Sequence, residues 1–204
     1  GAFYRYAMAS GADAIAMGHY RSGEKDQSYF LWAVPKSILD ATIFPVGNMK
    51  KEEVRKLAKR FNLPVAEKKD SQGICFLGAV SVKEFLEKEL GSDNPALLYT
   101  IGERLGGGYV VSKDMEKGTV VVSKNRGQGA SNEVQFRDSN WFSGSSNATE
   151  AQYRYRGERI AGRVEGGRFI RKVTPYEQQE VVVPGQSIVF YDSGVLVGGG
   201  IIAL

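Results

Sequence analysis

A change of texture near residue 98 constrains this chain more than any other feature. Before it, apolar residues recur at helical spacing or gather in one short run bounded by turn residues. After it, runs such as Tyr109-Val110-Val111, Thr119-Val120-Val121-Val122 and Ser187-Ile188-Val189-Phe190-Tyr191 are β-branched and aromatic, divided by Gly, Asp, Asn and Ser. A mixed α/β first half followed by an all-β remainder is expected. Several short strands at this spacing suit a small antiparallel barrel.

The first half reads in order. Residues 2–10 form the end of a helix that Gly11 stops. Asp13-Ala14-Ile15-Ala16-Met17 is a short apolar run suited to a buried parallel strand, with Gly18-His19-Tyr20 at its carboxyl end. Ligands of open α/β sheets bind at that edge. Val54, Leu57, Ala58 and Phe61 then recur at i, i+3, i+4 and i+7, predicting a helix from Asn48 that Asn62 and Pro64 end. Lys50, Lys51, Arg55, Lys56, Lys59 and Arg60 give it a basic surface, either simply solvated or able to touch phosphate. Ser81-Val82-Lys83-Glu84 is a capping box that opens a further helix running to Leu90.

In the second half, residues 159–164 and 168–173, joined through Glu165-Gly166-Gly167, predict a hairpin. Residues 139–149 read as an exposed loop that Trp141 and Phe142 anchor. The triplets at Gly106 to Gly108 and Gly198 to Gly200 lack a following Lys-Ser or Lys-Thr, so they are turns or bulges rather than phosphate loops.

Composition narrows the chemistry. The 204 residues, 42% hydrophobic, can bury a real core in one large domain or two small ones. One cysteine excludes an internal disulfide framework and points to a reducing, cytoplasmic setting. With a single histidine, His19, no zinc site is expected. No apolar run reaches the roughly 18 residues of a membrane span, so no membrane partner is expected. The net charge of +4 permits a polyanionic partner without requiring one.

The lone thiol, Cys75, follows Lys68-Lys69-Asp70-Ser71-Gln72-Gly73-Ile74. Neighbouring cations lower a thiol pKa from about 8.5, so the residue could carry sulfur. Ile74, Phe76 and Leu77 allow the other reading, a small buried hydrophobe.

Taken in shared order, several segments resemble the tRNA-specific 2-thiouridylase family, which places sulfur on the wobble uridine of certain tRNAs. They are Gly11-Ala12-Asp13 leading to Gly18-His19-Tyr20, Lys25-Asp26-Gln27-Ser28-Tyr29-Phe30-Leu31, Phe44-Pro45-Val46-Gly47, and Leu63-Pro64-Val65-Ala66 running into residues 68–76. Later come Tyr99-Thr100-Ile101-Gly102, Tyr153-Arg154-Tyr155-Arg156 and Pro184-Gly185-Gln186-Ser187. The resemblance spans nearly the whole chain. It implies three parts: residues 1–47 as a remnant of a nucleotide-binding parallel α/β domain, 48–127 as a small linking domain with the cysteine loop, and 128–204 as a C-terminal antiparallel β-barrel.

It also implies roles. Cys75 would carry a persulfide, charged by a cysteine desulfurase or a sulfur-relay protein. ATP, with Mg2+ accompanying it, would adenylate the uridine C2 carbonyl, after which the persulfide sulfur attacks and AMP leaves. Gly18 would lie against ATP. His19, Lys25, Asp26, Gln27, Arg154, Tyr155 and Gln186 would contact tRNA. From the residues themselves, Tyr153 to Arg156 reads first as a half-buried strand with alternating faces, although Arg154 and Arg156 flanking an aromatic is also the mix of cation and stacking surface that RNA binding uses. A monomer is expected. The alternative is a non-catalytic tRNA-binding module that retains the fold.

The chain departs from the family pattern too. The Ser-Gly-Gly-Val-Asp-Ser phosphate loop and a second cysteine, both expected ahead of Gly1, are not among these residues. Residues 20–25, 90–99 and the stretch after Leu105 are short for the family, and Glu103 stands where Gln is usual. The expectation is the C-terminal two-thirds of such an enzyme, with family loops missing and the ATP site incomplete.

Overall fold

The computed structural model describes residues 1–21, 26–68, 85, 87–89, 94–125, 131–172 and 181–203. Internal contacts group the chain into two compact units. One comprises Gly1–Lys68, Glu133–Lys172 and Pro184–Leu204, the other Lys69–Asn132 and Val173–Val183. Cys75, Lys25 and the capping box at Ser81 lie outside the described residues.

The first unit opens with α1 (Ala2–Ala9), closed by Gly11 at φ 86. β1 (Ile15–Ala16) follows and pairs in parallel with β2 (Thr42–Ile43), which comes after α2 (Lys36–Asp40). Backbone bonds from Ile15 to Ala41 and from Met17 to Ile43 lengthen the ladder at both ends. The parallel α/β remnant is therefore present. α3 (Lys51–Arg60) begins where the Lys50 amide donates to Glu53 Oε2 at 2.9 Å and ends at Asn62, φ 52. Asn is one of the few residues that tolerates that left-handed cap. On its basic surface, Lys59 pairs with Glu67 at 2.8 Å and Arg55 donates to the Lys68 carbonyl at 3.2 Å.

Six strands of the same unit close an antiparallel barrel. In chain order the described strands of the second half are β3 (Arg104–Leu105), β4 (Gly108–Asp114), β5 (Thr119–Ser123), β6 (Glu133–Trp141), β7 (Glu150–Gln152), β8 (Ile160–Glu165), β9 (Arg168–Arg171), β10 (Ser187–Asp192) and β11 (Val195–Ile202). Around the barrel the order is β10, β11, β6, β9, β8, β7. The β8–β9 hairpin turns through Gly166 and Gly167, both at positive φ, the requirement of a two-residue primed turn. Gly106 and Gly107 make the same turn between β3 and β4.

β10 shows how this barrel is packed. Ile188, Val189, Phe190 and Tyr191 are all buried, although successive strand residues point to opposite faces. Phe190 meets Phe136, Trp141 and Phe169, with the Trp141 ring stacked on it at 4.9 Å. Val189 and Tyr191 cluster instead with Tyr29 and Trp32. One face of β10 thus fills the barrel, and the other receives the segment after Gln27. Arg171 is also buried, its guanidinium 5.0 Å from the centre of the Tyr153 ring, a cation–π contact that offsets part of its desolvation.

Trp32 fixes that segment. A Cβ on Gly199 would stand 2.6 Å from the indole Cγ, so only glycine admits the ring there. Asn140 Nδ2 donates to the carbonyls of Trp32 at 2.7 Å and Val34 at 3.0 Å. The second glycine triplet is therefore a seat for tryptophan beside a register shift in β11.

Two local expectations are corrected. Ser139, Asn140 and Trp141 belong to β6 and not to an exposed loop, because Gly198 and Gly199 of β11 pair with Trp141 and Asn140. The loop begins after them, though Trp141 does anchor it. The strand reading of Tyr153 to Arg156 fails as well: β7 ends at Gln152, and the chain bends away with Arg156 at φ 63.

In the second unit, β3, β4 and β5 form a three-stranded antiparallel sheet. Ala96 of the short helix Pro95–Leu98 and Val110 of β4 are fully buried. Glu103 Oε2 accepts from the Thr100 amide and hydroxyl, a turn-closing role that the oxygen of a glutamine could also fill. Asp114 accepts from the amides of Glu116 and Lys117 in the β4–β5 turn, and the Lys117 bond is the main cause holding its carboxyl below its ordinary value.

Candidate nucleic-acid interface

The turn between the α/β remnant and the barrel gathers most of the described candidate residues. Ser28–Leu31 is one 3-10 turn. It buries Ser28, Tyr29 and Leu31, yet leaves Phe30 52% exposed. The Tyr29 hydroxyl donates to the Ser187 carbonyl at 3.2 Å, which ties the turn to the start of β10.

Tyr155 comes to this turn from the bend after β7. Its ring centre lies 4.6 Å from that of Phe30 and 6.2 Å from that of Tyr29. The Arg156 guanidinium sits 5.2 Å over the Tyr155 ring. Phe30, Tyr155 and Arg156 thereby make a partly exposed aromatic surface capped by a cation. Arg154 precedes them, half-buried, in the same bend.

Gln27 and Asp26 are tied into the protein on the other side of the turn. The Gln27 amide donates to the Tyr20 carbonyl at 2.8 Å, and its Oε1 accepts from the Tyr20 amide at 3.1 Å. Asp26 accepts from the Ser28 amide through Oδ1 and from Arg159 through Oδ2. Arg159 lies 3.8 Å over the ring of Tyr191, whose hydroxyl donates to Gln152 Oε1. Burial chiefly raises the Tyr191 pKa above its ordinary value, while the nearby Ser28 hydroxyl and Arg159 charge oppose the rise.

Gln186 is exposed and ends the turn just before β10. Its carbonyl accepts from the Ile202 amide at 2.8 Å, leaving its side chain toward solvent at the residue next to Ser187. Gly18 and His19 occupy the carboxyl end of β1. His19 meets Phe44 edge-on at 6.2 Å, and Arg21 lies 5.0 Å over the same ring.

Gly18 is exposed, and a Cβ there would meet nothing within 4 Å. That open backbone at a strand end suits the approach of a nucleotide, as open α/β sheets provide.

Sequence reasoning quoted Phe30 within a motif but assigned it no role, noted Arg156 only as a neighbour of the aromatic, and passed over Arg159. A clue to Phe30 was available: four successive apolar residues, Tyr29 to Trp32, cannot all face inward from one tight turn. Arg159 had no local signal, since its partner Asp26 is 133 residues away.

Two family models match parts of the chain. Residues 1–79 match the model of the tRNA methyl transferase HUP domain, and residues 131–202 match that of the aminomethyltransferase beta-barrel domain. A protein of Marinomonas sp. named tRNA-specific 2-thiouridylase MnmA is 38% identical over 261 residues, covering 98% of this chain and 64% of the relative. Relatives of the same name from Hahella chejuensis and Mycoplasmopsis pulmonis are each 36% identical, with 68% and 65% of their lengths covered. The chain thus spans about two thirds of the length of these relatives. The matched stretch of 261 residues exceeds the chain's 204, so the relatives carry internal segments that this chain lacks. No helix among the described residues is long and apolar enough to cross a membrane. On the extent and identity of these matches, the chain belongs to the tRNA-specific 2-thiouridylase MnmA family.

Proposed function

We propose that the chain is the RNA-holding and sulfur-carrying part of an enzyme that 2-thiolates the wobble uridine of tRNA. The observation that carries this reading is the surface made by Phe30, Tyr155 and Arg156. Unpaired bases of an RNA loop stack on exposed aromatic rings, and a neighbouring guanidinium complements the phosphate backbone. Arg154, Gln27 and Gln186 border that surface as further tRNA contacts, with His19 at the strand edge and Lys25 from the adjoining sequence.

The nucleotide end of the reaction is assigned to Gly18. ATP, bound with Mg2+, supplies a leaving group for the otherwise unreactive C2 oxygen of uridine. Cys75 is assigned the sulfur as a persulfide on sequence grounds, with Lys68 or Lys69 favouring its anion. A cysteine desulfurase or sulfur-relay protein would charge it, in a cytoplasmic monomer. The names of the relatives support this reading.

Electrophoretic binding of tRNA at several salt concentrations tests it. Affinity should fall steeply with salt, as phosphate contacts require. Phe30→Ala and Tyr155→Ala should each weaken binding by about 1–3 kcal/mol, the worth of a stacked base. In an enzyme complete with its ATP loop, Cys75→Ser should abolish thiolation and leave tRNA binding nearly intact. Binding that is absent or insensitive to salt would sink the reading. Salt-sensitive binding without any persulfide mass shift at Cys75 would reduce it to a non-catalytic RNA module.

A further inference from the structure

Asp26 stands in the stretch expected to touch tRNA, yet its carboxylate is committed within the protein. Oδ1 accepts from the Ser28 amide at 2.8 Å, and Oδ2 accepts from Arg159 Nη2 at 3.2 Å. The Arg159 and Asp26 side chains are only 30% and 20% exposed, so this ion pair is shielded more than a typical surface pair. A carboxylate is also a poor neighbour for phosphate, since like charges repel.

The contacts continue beyond the pair. Arg159 lies over Tyr191 at 3.8 Å, the Tyr191 hydroxyl donates to Gln152 Oε1 at 3.2 Å, and Gln152 Nε2 donates to the Gly157 carbonyl at 2.8 Å. Asp26 stands two residues before the turn that carries Phe30. Arg159 and Gln152 bracket the bend that carries Tyr155. The network therefore ties together the two segments whose rings meet at 4.6 Å.

We infer that Arg159 is a positioning residue, anchored by Asp26, which latches the Ser28–Leu31 turn to the bend after β7 and so sets the Phe30 and Tyr155 rings for RNA. Neither member of the pair touches the nucleic acid. The consequence for RNA rests on the tRNA-binding reading; the latch itself does not.

Hydrogen exchange and tRNA binding on Asp26→Asn, Arg159→Gln and the double variant test it. Amide exchange of residues 28–31 should quicken by about tenfold or more in each single variant, with no further gain in the double, while β10 and β11 keep their protection. Affinity for tRNA should fall alike in all three, with the salt dependence of the parent retained. Asp26→Asn is the sharpest arm. It adds a net positive charge, so electrostatics alone would tighten binding, whereas a released latch weakens it. Unchanged exchange at residues 28–31, or tighter binding by Asp26→Asn, would overturn the proposal. So would a salt slope reduced by about one in Arg159→Gln, because that marks a direct phosphate contact. If the parent binds no tRNA, the functional reading fails alone, and the exchange result still decides the latch.

Discussion

The barrel and the α/β remnant share one compact unit but are held by different means. The barrel closes on itself: each of its strands has two neighbours, and Phe169, Ile188 and Phe190 are fully buried within it. The remnant offers two strands of two residues each, and none of the residues of α1 or α2 is buried. A two-stranded sheet is marginal by itself in water. What order the remnant has comes mainly through the segment from Asp26 to Val34, which lies on β10, β11 and β6. Secondary structure and stability are thus distributed unevenly, and substitutions should reveal it.

The largest effect should come from emptying the barrel. Phe190→Ala removes a ring that touches three other aromatic residues and should cost about 3–5 kcal/mol in chemical denaturation, with exchange rising in β10 and β11. A cost below about 1 kcal/mol would mean that the barrel is not where stability resides. Next, Gly199→Ala should cost about 1–3 kcal/mol through overpacking against Trp32. Its signature is altered tryptophan fluorescence and loss of protection in residues 28–34, with the barrel strands retained. Equal loss in both regions would erase the contrast between them.

A smaller effect should appear at high pH. The folded-state pKa of Tyr191 is raised, chiefly by burial, so the protonated phenol is favoured on folding. Its contribution is complete below the unfolded value of about 10 and is lost as pH rises through the folded value. Tyr191→Phe should therefore lose less stability than the parent when denaturation is compared at pH 9 and above pH 10. Smallest of all, Ile43→Thr in the remnant should change stability by no more than about 0.5 kcal/mol, since Ile43 is already 58% exposed. A large loss there would show that the remnant carries more of the fold than its burial suggests.

The parts of this molecule that were readable from sequence are those whose cause is local. The helical period of Val54, Leu57 and Ala58, the stop at Asn62 and the Gly166-Gly167 turn each act within a few residues, and each is found where expected. Tyr153 to Arg156 misled because alternation of aromatic and cation is written in the side chains, whereas the end of β7 depends on a backbone reversal at Arg156. Ser139 to Trp141 misled because polar composition suggests a loop, while strand partners at Gly198 and Gly199 come from far along the chain. In the candidate site, the resemblance singled out Tyr155 and Gln186, which do flank one turn. It could not supply Arg159, whose meaning depends on an ion pair that only the folded chain forms.

The seat that Gly199 offers Trp32 carries a consequence for how the protein melts. A barrel and an α/β segment joined only by a tether would give two calorimetric transitions. An indole locked against a strand backbone, with Asn140 holding the two carbonyls beside it, makes loss of one part the loss of the other's support. The first unit should accordingly absorb heat in a single peak, and a side chain at residue 199 should split that peak before it lowers it.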